Sequence, residues 1–217
     1  MDEGCHAYYE ENREVGPVRK GASWAVVLLL VMGLAMGCSQ PKHPLVTMTL
    51  ADGTAVQIEL YPDVAPNTVA NFVNLAQAGF YNGLTFHRAQ SDVFLQGGDP
   101  LGTGMGGPGY TIPGEFAANG FENNLKHEAG VISMARSQVY DSAGSQFFIM
   151  VGAAPSLDGQ YAAFGKVVNP EGLEAIRALS ELPQSPTTGL LETPPIIQSV
   201  AVETYGQTYT VEKAAQE

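Results

Sequence analysis

Phe86-His87-Arg88-Ala89-Gln90-Ser91-Asp92-Val93-Phe94-Leu95-Gln96-Gly97-Gly98-Asp99-Pro100 reads as a strand ending near the arginine, a polar turn, a second apolar strand and a Gln-Gly-Gly-Asp-Pro turn. An arginine set between two apolar strands has two uses. It can lie along the surface with its head in water, or it can be fixed over a shallow apolar patch as a hydrogen-bond donor. Taken alone, the stretch leaves both open.

Three later stretches narrow the choice. They are Gly130-Val131-Ile132-Ser133-Met134-Ala135-Arg136, Ser142-Ala143-Gly144-Ser145-Gln146-Phe147-Phe148-Ile149, and Leu157-Asp158-Gly159-Gln160-Tyr161-Ala162-Ala163-Phe164-Gly165-Lys166-Val167. With the first stretch, in this order and at this approximate spacing, they resemble the cyclophilins, a family of peptidyl-prolyl cis-trans isomerases. The resemblance runs from about Val46 to Val202.

The residues around these motifs fit a mainly β domain. Residues 45–50 and 55–60 form a hairpin across Ala51-Asp52-Gly53-Thr54, in which Asp-Gly is the turn signal. Pro62 and Pro66 break the second strand. Asn67 is placed to cap a helix in which Val69, Phe72, Val73 and Ala76 recur at helical spacing, with Gly79 ending it. Asn82-Gly83 turns into the strand that carries Arg88. Further strands are expected at 131–135, 146–150, 163–168 and 196–202. Asn169-Pro170 opens a second helix with Leu173, Ile176 and Leu179 inward. Pro183, Pro186, Pro194 and Pro195 mark a loop before the last strand. Many short strands and only two helices argue for a closed antiparallel barrel. The resemblance implies eight strands, a helix over each open end, an interior filled by side chains and a site on the outer face.

The resemblance also implies residue roles. Arg88 and Gln96 would be the catalytic pair, with Gln96 orienting the arginine and holding the client backbone. Phe94, Phe148 and Leu157 would form the proline pocket, with Val93 and Tyr161 at its margins. Ala135, Arg136 and Gln146 match groove positions that contact the peptide beside the proline. Four residues depart from the family's habit: Val93 replaces a usual phenylalanine, Arg136 a usual asparagine, Ser156 a frequent tryptophan and Tyr161 a frequent histidine. Val93 shrinks one pocket wall, and Ser156 weakens the case for cyclosporin binding. A non-catalytic module that binds proline-containing loops is the alternative reading, and the presence of both Arg88 and Gln96 argues against it.

Other chemistries find little support. Ser145 lies in Ala-Gly-Ser-Gln-Phe, which is not a Gly-x-Ser-x-Gly elbow, and no motif ties His87 or Asp158 to it. The glycine-rich segment 101–109 has neither a Gly-Lys-Ser/Thr ending nor Gly-x-Gly-x-x-Gly between strand and helix. His43, His87 and His127 lack metal-ligand spacing, so no metal or other cofactor is expected.

The chain has 217 residues, 45% apolar and 15% charged, enough for one well-buried domain plus a short extra segment, and a monomer is expected. Its formal charge of -12 repels phosphate backbones, which argues against nucleic acid as a partner. Both cysteines, Cys5 and Cys38, precede the domain, so no disulfide can staple it.

Residues 1–38 read as a signal segment. Arg19-Lys20 precedes an apolar run too short for a comfortable membrane span, and Ala35-Met36-Gly37-Cys38 resembles a bacterial lipobox. Gly37 fits that pattern, while Ala35 and Met36 are unusual in it. An uncleaved anchor with an incidental cysteine is the competing reading. Lipidation of Cys38 would hold the domain at the outer side of a bacterial membrane, where its partners would be proline-containing segments of exported proteins. Asp2, Glu3, Glu10, Glu11 and Glu14 oppose a basic signal start, so translation is expected to begin nearer Val18. The remaining divisions are a tether at 39–44, the isomerase-like domain at 45–204 and a polar tail at 205–217.

Overall fold

The computed structural model describes residues 42–215; the signal-like segment with Cys38, and tether residues 39–41, lie outside the described residues. Strands β1 (Leu45–Leu50) and β2 (Ala55–Leu60) form the expected hairpin and alternate, placing Val46, Met48, Leu50, Val56, Ile58 and Leu60 in the core. Their turn is held by Asp52 Oδ1, which accepts from the Thr54 N–H at 2.9 Å.

Helix α1 (Pro66–Gln77) buries Val69, Phe72, Val73 and Ala76 as its periodicity predicts. The Phe72 ring meets those of Tyr81, Phe147 and Phe164 at centroid distances of 4.9, 5.6 and 5.5 Å. Asn67 is not its cap. Pro66 takes the first helical position, and the N–H groups of Asn67 and Thr68 donate to the buried carboxylate of Glu115 at 2.9 and 2.7 Å. A distant carboxylate therefore satisfies donors that a local cap would normally take, and it does so at the positive end of the helix dipole. Asn67 is left free to exchange two hydrogen bonds with the backbone of Glu212. Asn74 donates to Tyr209 O, so the described part of segment 205–217 runs along α1.

The remaining elements are β3 (Thr85–Gln90), β4 (Phe94–Asp99), β5 (Val131–Met134), β6 (Phe147–Met150), β7 (Ala163–Val167), α2 (Pro170–Ser180) and β8 (Ile197–Glu203). Helix α2 opens at Pro170 as expected and seats Ile176 fully in the core, with Leu173 and Leu179 half-buried beside it. Asn71 of α1 reaches Gly144 O just before β6, whereas Arg177 of α2 reaches Val151 O just after it. The two helices thus stand at opposite ends of that strand.

The eight strands form one antiparallel sheet in the order β3-β4-β6-β5-β7-β2-β1-β8. The expectation of a closed barrel needs correction, because the sheet is curled but open. Among the described residues the starts of β3 and β8 are joined by the isolated bridge Thr85–Ile196 and a few flanking backbone hydrogen bonds, such as Ile197 N to Leu84 O at 2.8 Å and Phe86 N to Pro195 O at 2.9 Å, rather than along a ladder. A proline pair explains the narrow seam: Pro194 and Pro195 lack N–H groups, so the approach to β8 has no donors for a longer ladder. The rest of the β3 edge is covered by the loop at 183–191. Ala89 N donates to Gly189 O at 2.8 Å and Leu191 N to His87 O at 3.0 Å, which removes an edge that would otherwise be free to pair with another chain.

Candidate active site

Cross-strand register puts the predicted residues on one face. Arg88 pairs with Gln96, Gln96 with Phe148, Phe148 with Ser133 and Ser133 with Ala163, so one row crosses β3, β4, β6, β5 and β7. Directly opposed residues share a face, and neighbours along each strand point the other way. Leu95, Phe147 and Ile149 accordingly lie in the inner core, while Phe94, Phe148 and Met150 belong to a separate outer cluster. Val93, Ala135, Leu157 and Tyr161 pack against this outer cluster, half-exposed. The sequence-predicted pocket residues are therefore together. Phe94 and Phe148 meet at 5.5 Å, and Tyr161 stands edge-on to Phe148 at 5.6 Å. Ser156 is exposed in a 3-10 turn over Pro155–Leu157.

A directed chain of hydrogen bonds borders this cluster. It begins at the carboxylate of Asp99, which is 1% exposed and accepts from the N–H groups of Leu101, Thr103 and Gly104. The glycine-rich loop thus spends its donors on its own acid, which is the physical reason it is no phosphate cradle. Its outward carbonyls at Gly104 and Gly106 both accept from Gln146 Nε2, at 3.0 and 2.9 Å. That fixes the Gln146 amide with its oxygen toward Gln96, whose Nε2 donates to it at 3.0 Å. Gln96 in turn presents Oε1 to Arg88 Nη1 at 3.0 Å. Each amide orientation follows from the one before it, so the loop carbonyls determine what the arginine meets.

Arg88 is gripped from the other side as well. Its Nε donates to Thr188 O at 3.2 Å, and its Cζ lies 5.1 Å from the Phe94 ring centroid. Among the described residues two of its five guanidinium N–H groups are engaged, which leaves one on Nη1 and both on Nη2 for a ligand.

Behind Phe148 lies a buried relay that sequence reasoning missed. His127 Nδ1 is 3.1 Å from Asp158 Oδ1 and Nε2 is 3.0 Å from Ser133 Oγ. A carboxylate only accepts, so Nδ1 carries the proton and Ser133 donates to Nε2. Burial pushes the His127 pKa down, against the pull of Asp158, in keeping with this neutral form. The connectivity is that of a Ser-His-Asp triad, but Ser133, in the outer row beside Phe148, is covered to 0% exposure and lies outside the groove lining. The relay instead backs Phe148, whose ring stacks on His127 at 6.0 Å. Ser145, the other candidate nucleophile, is equally buried and donates to Gly98 O at 2.7 Å.

Beyond Gln146 the cluster opens into a groove of about 780 Å³. Arg136 and Ala135 form part of one wall, and Leu101 and Met105 of the glycine-rich loop part of another. Arg136 donates from Nε and Nη2 to Gln160 O at 3.0 and 2.9 Å, and from Nη1 to Ser137 O at 2.9 Å.

Comparison with known proteins bears on the family of the chain. The profile for the cyclophilin type peptidyl-prolyl cis-trans isomerase/CLD family matches residues 45–202. Peptidyl-prolyl cis-trans isomerase B of Bacillus subtilis is 50% identical over 131 residues, 60% of this chain and 87% of that protein. A peptidyl-prolyl cis-trans isomerase of Synechococcus elongatus is 47% identical over 57% of this chain and 81% of its own length. Among solved structures, a cyclophilin-type isomerase of Cryptosporidium parvum, crystallised in the presence of the dipeptide Ala-Pro, superposes with a TM-score of 0.65 at 30% identity, covering 73% of this chain and 98% of its own. The sequence profile, the eight-stranded sheet and these relatives agree, and the chain belongs to the cyclophilin-type peptidyl-prolyl cis-trans isomerases.

Proposed function

We propose that this chain accelerates Xaa-Pro isomerisation in exported proteins from the outer side of a bacterial membrane, with Arg88 stabilising the twisted prolyl amide. Rotation about that bond is slow because the amide keeps partial double-bond character, with a barrier of about 18–20 kcal/mol. Lowering it needs neither a nucleophile nor a redox group. It needs the proline ring held still and a donor aimed at the nitrogen whose lone pair appears as resonance is lost. A ten-thousandfold acceleration corresponds to about 5.4 kcal/mol of preferential binding of the twisted state.

The observation that carries this reading is the fixed guanidinium at the rim of the outer apolar cluster. Phe94, Phe148 and Leu157 offer a shallow apolar seat for a pyrrolidine ring. Arg88 is always charged and is held by Gln96 Oε1, Thr188 O and the Phe94 ring, so it loses little freedom on meeting the twisted amide. The second N–H of Gln96 Nε2 is available to a client carbonyl. In a prolyl-peptide exchange assay on the full chain, Arg88→Ala should lower kcat/KM by at least about a hundredfold, the usual cost of removing one transition-state donor. Equal rates for parent and Arg88→Ala would discard the arginine mechanism and favour a binding module.

Membrane attachment rests on the sequence: Arg19-Lys20, the apolar run after it and Gly37-Cys38. Diacylation at Cys38 would supply the two chains that stable anchoring requires. Cells fed a labelled fatty acid should mark the parent and leave Cys38→Ser unmarked, and label retained in that variant would refute the anchor.

A further inference from the structure

We propose that the groove beside the apolar cluster selects client segments carrying a carboxylate within about three residues of the proline, and that Arg136 determines this preference. The inference rests on the cluster being the proline site. The chain has 22 acidic and 10 basic residues, yet the groove is lined by two arginines, Arg88 and Arg136, and by no aspartate or glutamate. The charged side chains on its lining therefore have the sign opposite to the net charge of the molecule, and the one carboxylate beneath the loop, Asp99, already accepts from the N–H groups of Leu101, Thr103 and Gly104.

Arg136 is held as a ligand-binding arginine would be. Its guanidinium lies 5.0, 5.0 and 4.7 Å from the ring centroids of Phe116, Tyr140 and Tyr161. Three of its five N–H groups are spent on backbone carbonyls, two of them on the single oxygen of Gln160. One N–H on each terminal nitrogen has no partner among the described residues, so two charged donors remain for a carboxylate. Arg177 makes the contrast, since it carries its own acid, Glu174, as a neighbour on α2. Because the three rings and two carbonyls already fix the Arg136 side chain, a carboxylate need not supply the ordering entropy that makes exposed ion pairs weak.

The reach is short. Arg136 contacts Tyr161, and Tyr161 contacts Phe148. At 3.3–3.6 Å per extended residue, about three residues of client cover that path. The distant acidic surface repels a carboxylate, but at 0.15 M salt charges beyond about 8 Å are screened while a contact pair is not.

The test is a set of proline peptides, alanine elsewhere, with glutamate or glutamine at each of the three positions on either side of the proline. Their exchange rates are measured by NMR with the full chain at 0.15 M salt. At one position the parent should prefer glutamate over glutamine by roughly five- to tenfold in kcat/KM. Arg136→Gln should bring that ratio to about one, and Arg136→Lys should retain part of it. A ratio of one at all six positions in the parent overturns the proposal, as does a ratio unchanged in Arg136→Gln. If the parent accelerates no peptide, the isomerase mechanism has failed separately. The Kd values of the same pairs then give the ratio, and equal Kd values overturn the selection.

Discussion

The two faces of one sheet make opposite use of similar side chains. On the inner face Leu95, Phe147 and Ile149 join a continuous core that takes in β1, β2, β8 and both helices. On the outer face Phe94, Phe148 and Met150 make a small cluster bordered by Arg88, Gln96 and Gln146. The inner phenylalanine, Phe147, is enclosed by the rings of Phe72, Tyr81 and Phe86. Its sequence neighbour, Phe148, touches Phe94, Tyr161 and His127 and keeps 5% of its surface in solvent. Burial alone scarcely separates the pair. What separates them is what lies on the far side of the ring, close-packed hydrocarbon for one and an open face for the other.

The largest expected effect comes from truncating the two in turn. Phe147→Ala leaves a cavity that the surrounding rings cannot fill, at a cost of about 3–5 kcal/mol. Phe148→Ala opens toward solvent and should cost less, while removing the seat on which a proline ring would rest. Urea unfolding together with the exchange assay therefore gives a crossed result: Phe147→Ala loses most stability, and Phe148→Ala loses activity out of proportion to stability. If Phe148→Ala proves as destabilising as Phe147→Ala, with no separate loss of rate, the distinction between the faces fails.

That same alternation explains what was legible in the sequence. Phe94 and Gln96 are two residues apart on a strand, as are Gln146 and Phe148 in the other motif, so each pair shares a face and the outer row could be assembled from spacing. Longer-range partners carried no such mark. Thr188 contributes a backbone carbonyl from a hundred residues beyond Arg88, and a carbonyl has no sequence signature. Asn67 looked like the cap of α1 because asparagine before an apolar stripe usually is one; Pro66 instead starts the helix and Glu115 supplies the acceptors. The open seam between β3 and β8 was illegible for a related reason. Strand count and turn spacing are the same for a closed ladder and for a curled sheet joined over a few residues.

A smaller effect should follow from tightening the loop that holds Arg88. Gly189 has φ +71°, and a Cβ there would sit 2.5 Å from Ala89 O and 3.4 Å from the Arg88 side chain. Gly189→Ala therefore meets both a left-handed backbone and a close carbonyl, a strain of about 1–3 kcal/mol. Moving the loop also withdraws Thr188 O from Arg88 Nε. The variant should lose about tenfold in kcat with little change in KM, since the apolar seat is untouched while the donor is misaligned. Loss in KM alone would show that the loop shapes client binding rather than the arginine.

The smallest effect should come from the two buried histidines. His87 is 1% exposed with neither ring nitrogen hydrogen-bonded among the described residues, and burial lowers its pKa against the opposing pull of Asp99, with Arg88 lowering it further. His127, behind the outer cluster, is lowered chiefly by burial too. A histidine whose folded pKa lies below its unfolded value of about 6.5 takes up protons preferentially in the unfolded chain, so its stabilising contribution is complete above that value and declines as pH falls through it. Asp99 is also lowered: burial raises its pKa, but the loop N–H groups more than offset this. Its contribution is held above about pH 3.9 and lost only below. Tm should thus fall in two stages on acidification, the first between about pH 7 and 5 from the histidines, the second below about pH 4 from Asp99 and other carboxylates. His87→Leu replaces an unpaired buried polar ring with hydrocarbon of similar volume, so it should leave Tm at pH 7.5 equal or higher. It should also flatten the first stage while leaving the second in place. A first stage of undiminished slope in that variant would assign the transition to His127 alone.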